Sequence, residues 1–150
     1  MLLDQQTFTT VINSTPLVSI DLIVKDRDGR VLLGERLNRP AKGFWFVPGG
    51  RILKNEAMAD AFKRLTRDEL GTEFLIENAK LIGPFDHFYV DNVFDESFST
   101  HYVAIGYELQ LTEDLKALPT DIQHHCYQWL SIDQLKESDD VHENTKKYFG

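Results

Sequence analysis

Gly49-Gly50-Arg51-Ile52-Leu53-Lys54-Asn55-Glu56 leads through Ala57 into a helical pattern that closes on Asp68-Glu69-Leu70-Gly71. Ala57, Ala61, Phe62 and Leu65 share one helix face, while Glu56, Asp60, Lys63, Arg64 and Arg67 lie largely elsewhere. A helix is therefore expected over Glu56 to Leu70, stopped by Gly71 as the residue past its C-terminus. In front of it, Phe44 to Val47 forms a short apolar strand that ends at Pro48-Gly49-Gly50. Glycines at a strand end let the backbone approach a ligand closely, and their carbonyls suit a hard cation such as Mg²⁺.

This stretch resembles the Nudix box, G-x5-E-x7-R-E-U-x-E-E-x-G-U with U a large apolar residue. Gly50, Glu56, Arg64, Glu69 and Gly71 fall in register. Leu65 stands at the box's first helix glutamate, Asp68 at its second, and Thr66 and Thr72 replace apolar residues. Leu65 and Glu69 are four apart on one face, so Glu69 supplies a carboxylate where Leu65 supplies none. Asp68 points about 100° away from Glu69 on a regular helix. Fewer metals than in an ordinary box are expected, with no base at position 65. The resemblance implies Glu56 and Arg64 as a loop-to-helix clamp.

The rest of the chain agrees with an α/β domain. Leu17 to Lys25 reads as a strand, Asp26-Arg27-Asp28-Gly29 as a turn, and Arg30 to Glu35 as a returning strand. Further strands are expected over Lys80 to Val90, Phe98 to Leu111 and near Tyr127 to Leu130. Short helices are expected over Ile132 to Glu137 and Val141 to Phe149. No repeat, low-complexity tract or linker divides the chain, so residues 1–150 read as one domain. Its expected architecture is a Nudix-type α/β/α sandwich around a mixed β-sheet.

Composition sets limits on partners. The chain has 150 residues, 42% hydrophobic, with a formal net charge of −8 at pH 7. An acidic chain without a basic stripe argues against nonspecific binding to nucleic acid or to an anionic membrane. A phosphorylated substrate remains compatible, since local arginines and a divalent cation reverse the field in one cleft. The single cysteine, Cys126, forms no internal disulfide and suits a reducing cytoplasm, the expected location. No signal peptide and no run of the ~20 apolar residues needed to cross a bilayer are visible.

Across nearly its whole length the chain resembles one Nudix subfamily, GDP-mannose mannosyl hydrolase, also called GDP-mannose glycosyl hydrolase. The resemblance rests on Ser14-Thr15-Pro16-Leu17-Val18-Ser19, Asn38-Arg39-Pro40-Ala41, Trp45 through Arg51 and Arg64-Leu65-Thr66. It continues at His87-Phe88-Tyr89, Thr100-His101-Tyr102-Val103 and Gln123-His124 with Tyr127. Leu65 belongs to that subfamily's pattern. The resemblance implies hydrolysis of GDP-mannose or GDP-glucose at the sugar C1–O bond with inversion, whereas ordinary Nudix enzymes attack phosphorus. It implies Mg²⁺, with Mn²⁺ as a substitute, held by Glu69, the Gly49 carbonyl and Gln123. It implies a GDP-hexose substrate and a homodimer.

The same resemblance assigns roles at matching positions. His124 becomes the general base, since a neutral imidazole accepts a proton from water near pH 7. Arg36 and Arg51 contact the diphosphate, where a guanidinium forks onto phosphate oxygens. His87 and Tyr102 hydrogen-bond the diphosphate or leaving oxygen, and Tyr127 belongs to the substrate-binding set. From the residues alone, alternatives stay open. Asp21 either faces solvent by strand alternation or binds sugar hydroxyls. Phe8 either stacks on guanine or simply packs. Phe44, Trp45 and Phe46 read as core and sheet residues, and Asp91, Asp95 and Glu96 as a solvated acidic loop. Two rival activities also stand: an ordinary pyrophosphohydrolase, and a binding module without catalysis.

Overall fold

The computed structural model describes residues 3–115, 118 and 124–150, with only the backbone of 124 and 125. A mixed seven-stranded sheet lies between helices. Strand β1 (Leu17–Lys25) occupies its centre, paired in parallel with β6 (Thr100–Gln110) and antiparallel with β2 (Val31–Arg36) and β4 (Gly49–Arg51). Strand β5 (Lys80–Tyr89) adds to β6, while β3 (Trp45–Phe46) and β7 (His124–Leu130) both add to β2.

Strand alternation sends side chains of β1 and β2 into two separate cores. Ile20, Leu22, Val24 and Leu32 meet Ala61, Phe62, Leu65 and Leu70 of α2 (Met58–Leu70) on one face. Ile23, Val31 and Leu33 meet Leu135 of α3 (Ile132–Glu137) and Val141 on the other. A helical layer on each face of a mixed sheet is the expected α/β/α sandwich.

The central helix starts two residues later than its periodicity suggests. Ala57 is exposed and has extended backbone as the N-cap, so it leaves the apolar face. Gly71 ends α2 at φ 75, as expected of a left-handed cap. At the chain's far end the expected single helix is broken into α4 (Glu143–Lys146) and a 3-10 turn, Lys147–Phe149. Helix α1 (Gln5–Ser14) precedes the sheet; its N-cap Asp4 accepts a hydrogen bond from the Thr7 amide at 2.8 Å. Among the described residues, no helix is long and apolar enough to cross a membrane.

Candidate active site

The Gly49–Gly71 segment is held by the clamp expected of Glu56 and Arg64. Arg64 Nε donates to Glu56 Oε2 at 2.8 Å, and an Arg64 terminal nitrogen donates to Glu56 Oε1 at 3.0 Å. The same guanidinium donates to the Arg51 carbonyl at 2.9 Å, and Glu56 Oε1 accepts from the Leu53 amide at 3.1 Å. Strand β4, the following loop and α2 thus share one fork of charge-assisted bonds. The Arg64 hydrogen bond is the main force holding the Glu56 carboxyl below its ordinary value.

Backbone parity then decides which way β4 offers its carbonyls. The Pro48 carbonyl accepts from Leu22 N, and Ile52 N donates to the Val18 carbonyl, both at 2.8 Å. In an antiparallel ladder only alternate residues bond to the facing strand. Positions 48, 50 and 52 therefore face β1, and the Gly49 and Arg51 carbonyls face the other way. Arg51 uses its carbonyl to receive Arg64 from α2, so the Gly49 carbonyl looks out on that same edge.

A cavity of about 270 Å³ is lined in part by Gly49, Gly50 and Arg51 of this strand. It gathers Phe8 of α1, Asp21 of β1, Arg36 of β2, Gly49 and Arg51 of β4, His87 of β5 and Tyr102 of β6. These are residues named from sequence, drawn from across the chain. Tyr127 does not line this cavity; it packs partly buried against the core beneath α2. Glu69 is buried on α2. Gln123 lies outside the described residues. For His124 the backbone alone is described, and it pairs with Arg36.

The cavity reverses the charge of the molecule around it. Arg36, Arg39 and Arg51 line it against one carboxylate, Asp21. Arg39 is already paired, to Asp91 at 3.2 Å and Glu96 at 3.3 Å, so the acidic loop is not simply solvated. The Arg36 guanidinium sits 5.5 Å over the Phe46 ring, and that of Arg51 sits 4.8 Å over Phe8. Aromatic faces orient a cation without neutralising it. Both guanidiniums therefore keep their charge for an anionic ligand.

Asp21 does not face open solvent. Burial pushes its carboxyl up to about 6, against the pull of the Tyr148 hydroxyl and the Arg36 charge. Burial, aided by the positive fields of Lys147 and His142, pushes His87 down to about 4, while Asp86 opposes this. His87 is accordingly neutral near pH 7. Its Nε2 is buried without a hydrogen-bond partner among the described residues. Burial also raises the Tyr102 phenol, which stays protonated and able to donate.

The described residues that could hold a divalent cation offer hard oxygens, the buried Glu69 carboxylate and the Gly49 carbonyl. No cluster of three or more His, Cys, Asp or Glu side chains able to hold a metal occurs among the described residues. Such a sparse oxygen set fits Mg²⁺, which keeps several waters and takes phosphate oxygens as ligands. Asp68 is half exposed and turned to Arg67, at 3.4 Å, rather than to this edge. Leu65 contributes packing alone: it is buried in the α2 core, and a Cβ built on Gly50 would lie 2.6 Å from its Cδ2.

Residues 15–149 match the NUDIX domain family. The chain belongs to that family. It is a Nudix hydrolase, an enzyme of the metal-dependent class that hydrolyses nucleoside diphosphate derivatives, generally with Mg²⁺ or Mn²⁺. A curated relative, "Low-salt glycan biosynthesis protein Agl8" of Haloferax volcanii, is 43% identical over 114 residues, covering 76% of this chain and 70% of that one. The MutT NUDIX hydrolase from Burkholderia pseudomallei superposes with TM-score 0.71 at 26% identity, over 90% of this chain and 96% of that chain. The MutT protein from Methanosarcina mazei Go1 gives TM-score 0.71 at 20% identity, over 91% and 92%.

Several lining residues escape the motif. Tyr89 lies two residues beyond His87 on β5 and pairs with Thr100, as His87 pairs with Tyr102. Period-2 alternation therefore points to Tyr89 and Thr100 once the register is known. Phe46 is cavity wall as well as buried core. Tyr148 carries no comparable signal, because its partner Asp21 is 127 residues away in sequence.

Proposed function

We propose that this Nudix hydrolase cleaves a GDP-hexose, GDP-mannose or GDP-glucose, to GDP and free hexose by water attack at sugar C1 with inversion. The observation that carries this reading is Leu65. It fills the position where the box places a carboxylate, and it is locked into an apolar core. Attack on carbon makes GDP the leaving group, and its developing charge calls for cationic donors more than for a carboxylate cage.

The cavity supplies such donors. Arg36 and Arg51 bind the diphosphate and stabilise negative charge on departing GDP. Protonated Tyr102 and neutral His87 hydrogen-bond the diphosphate or the leaving oxygen, His87 through the Nε2 that has no partner among the described residues. Asp21 holds sugar hydroxyls, and Phe8 of α1 meets the base. His124 takes the proton from the attacking water. Glu69, the Gly49 carbonyl and Gln123 would hold Mg²⁺, which when bound neutralises phosphate charge.

The printed role of the Haloferax relative in glycan biosynthesis supports a sugar-bearing substrate. A homodimer is part of the same reading; light scattering on the purified protein should give twice the 17.3 kDa chain mass. Product analysis tests the reaction itself. GDP and free hexose are expected, whereas GMP and hexose 1-phosphate would overturn the reading.

A further inference from the structure

The C-terminal segment straps the cavity floor. Trp45 N donates to the Asp140 carbonyl at 2.9 Å, and Val47 N donates to Thr145 Oγ1 at 3.2 Å. Lys147 Nζ donates to the Asp86 carbonyl at 3.0 Å. At the end of this strap the Tyr148 hydroxyl donates to Asp21 Oδ2 at 2.6 Å. Among the described residues this is the hydrogen bond that fixes the Asp21 carboxyl.

Two glycines make room for it. Asp21 is flanked across the sheet by Gly49 of β4 and by Gly106 of β6. A Cβ at Gly49 would lie 2.6 Å from Asp21 Oδ1. A Cβ at Gly106 would lie 2.5 Å from Tyr148 Cε1. The missing side chains therefore let the carboxylate rest on one neighbour and the phenol ring lie over the other. The ring is fixed further by edge contacts to Phe85 at 4.7 Å and His87 at 5.6 Å.

We propose that Tyr148 is a positioning residue that holds the Asp21 carboxylate in the orientation needed to grip the hexose. The assignment rests on the GDP-hexose reading. Tyr148 does not line the cavity, and its hydroxyl acts through Asp21. Oδ2 is engaged by the phenol and lies 3.8 Å from His87 Nδ1, so the bond sets the carboxylate relative to both the sugar end and the leaving-group end.

Tyr148→Phe keeps the ring and deletes the bond. It should lower kcat/KM for GDP-mannose about tenfold, the scale of one hydrogen bond to a charged group. The inhibition constant of GDP alone, which lacks the sugar, should stay within about twofold. Gly106→Ala, which displaces the ring chemically unchanged, should act in the same direction and covers the case of a Tyr148→Phe protein that fails to fold. In an Asp21→Ala background, which leaves the phenol no side-chain acceptor at position 21, Tyr148→Phe should add little. Full activity of Tyr148→Phe, a parallel loss of GDP affinity, or an undiminished effect in Asp21→Ala would overturn the assignment. Wild-type protein run alongside separates the two claims: no GDP released from either GDP-mannose or GDP-glucose would sink the substrate reading itself, whereas normal wild-type turnover with an indifferent Tyr148→Phe would sink the positioning role alone.

Discussion

Leu65 and Gly50 are in direct register across the β4–α2 interface: a Cβ added to Gly50 would stand 2.6 Å from Leu65 Cδ2. The leucine packs onto the bare backbone of the glycine, and its methyls join Ile20, Leu22 and Phe62 in the core. A residue at this place in the Nudix box is thus part of the hydrophobic framework here. Leu65→Ala should cost about 2–5 kcal/mol in urea unfolding through the cavity it leaves. The kcat of the folded enzyme should hold within about twofold, since no chemistry is assigned to the side chain. A stable variant with collapsed kcat would contradict a packing role.

Arg51 is tied into the site from both ends: its carbonyl receives Arg64, and its guanidinium covers Phe8. Arg51→Ala should lower kcat by about 10²-fold, the scale for losing a donor aimed at developing charge. Arg51→Lys should recover only part of this, because an ammonium lacks the planar fork. Steady-state kinetics at saturating substrate reads the difference; equal rates for the lysine variant and the wild type would argue against bidentate contact.

Glu56 gives the fold an acid limb. Its folded carboxyl is held below the ordinary 4.5, chiefly by the Arg64 hydrogen bond. A depressed carboxyl contributes stability above its unfolded value, and that contribution is lost as pH falls through the folded value. Thermal melts from neutral pH downward should show wild type losing stability below about pH 4.5 more steeply than Glu56→Gln. Parallel curves would remove the clamp from the acid response.

His87 acts in a neighbouring window by a different route. The unfolded imidazole takes a proton near 6.5, while burial keeps the folded one neutral down to about 4. The unfolded state therefore binds more protons between those values, and stability falls as pH drops across them. Replacing His87 with Gln should flatten the melting curve in this window. A ¹H–¹⁵N spectrum showing His87 already protonated at the upper edge would contradict its neutral role.

The local patterns were the legible ones. Alternating residues of β1 and β2, the α2 apolar face and Gly71 all carry their structure in a few neighbouring positions. Helix α1 does not, because its apolar stripe of Phe8, Val11 and Ile12 is short and set among the β-branched Thr7, Thr9 and Thr10. A second local signal is Asp4, a capping residue ahead of Thr7. Strand β4 hides inside the glycine motif, where two glycines give no strand pattern. In the site, a motif marks residues that share a chain segment, so Gly49, Arg51, Glu56 and Arg64 stood out. Asp21 with Tyr148, or Arg39 with Asp91, meet only after the sheet has formed. Tyr127 fell on the other side: its motif neighbours suggested substrate, and the fold turns it toward the core beneath α2.

The most direct test of attack at carbon is turnover of GDP-mannose with Mg²⁺ in ¹⁸O-enriched water. Products are read by mass spectrometry for label and by proton NMR for the first anomer formed. Label on the hexose, with β-mannose appearing first and unlabelled GDP beside it, is the predicted result. Label on a phosphate, with GMP and mannose 1-phosphate as products, would contradict it and return Leu65 to an incidental change in an ordinary pyrophosphohydrolase.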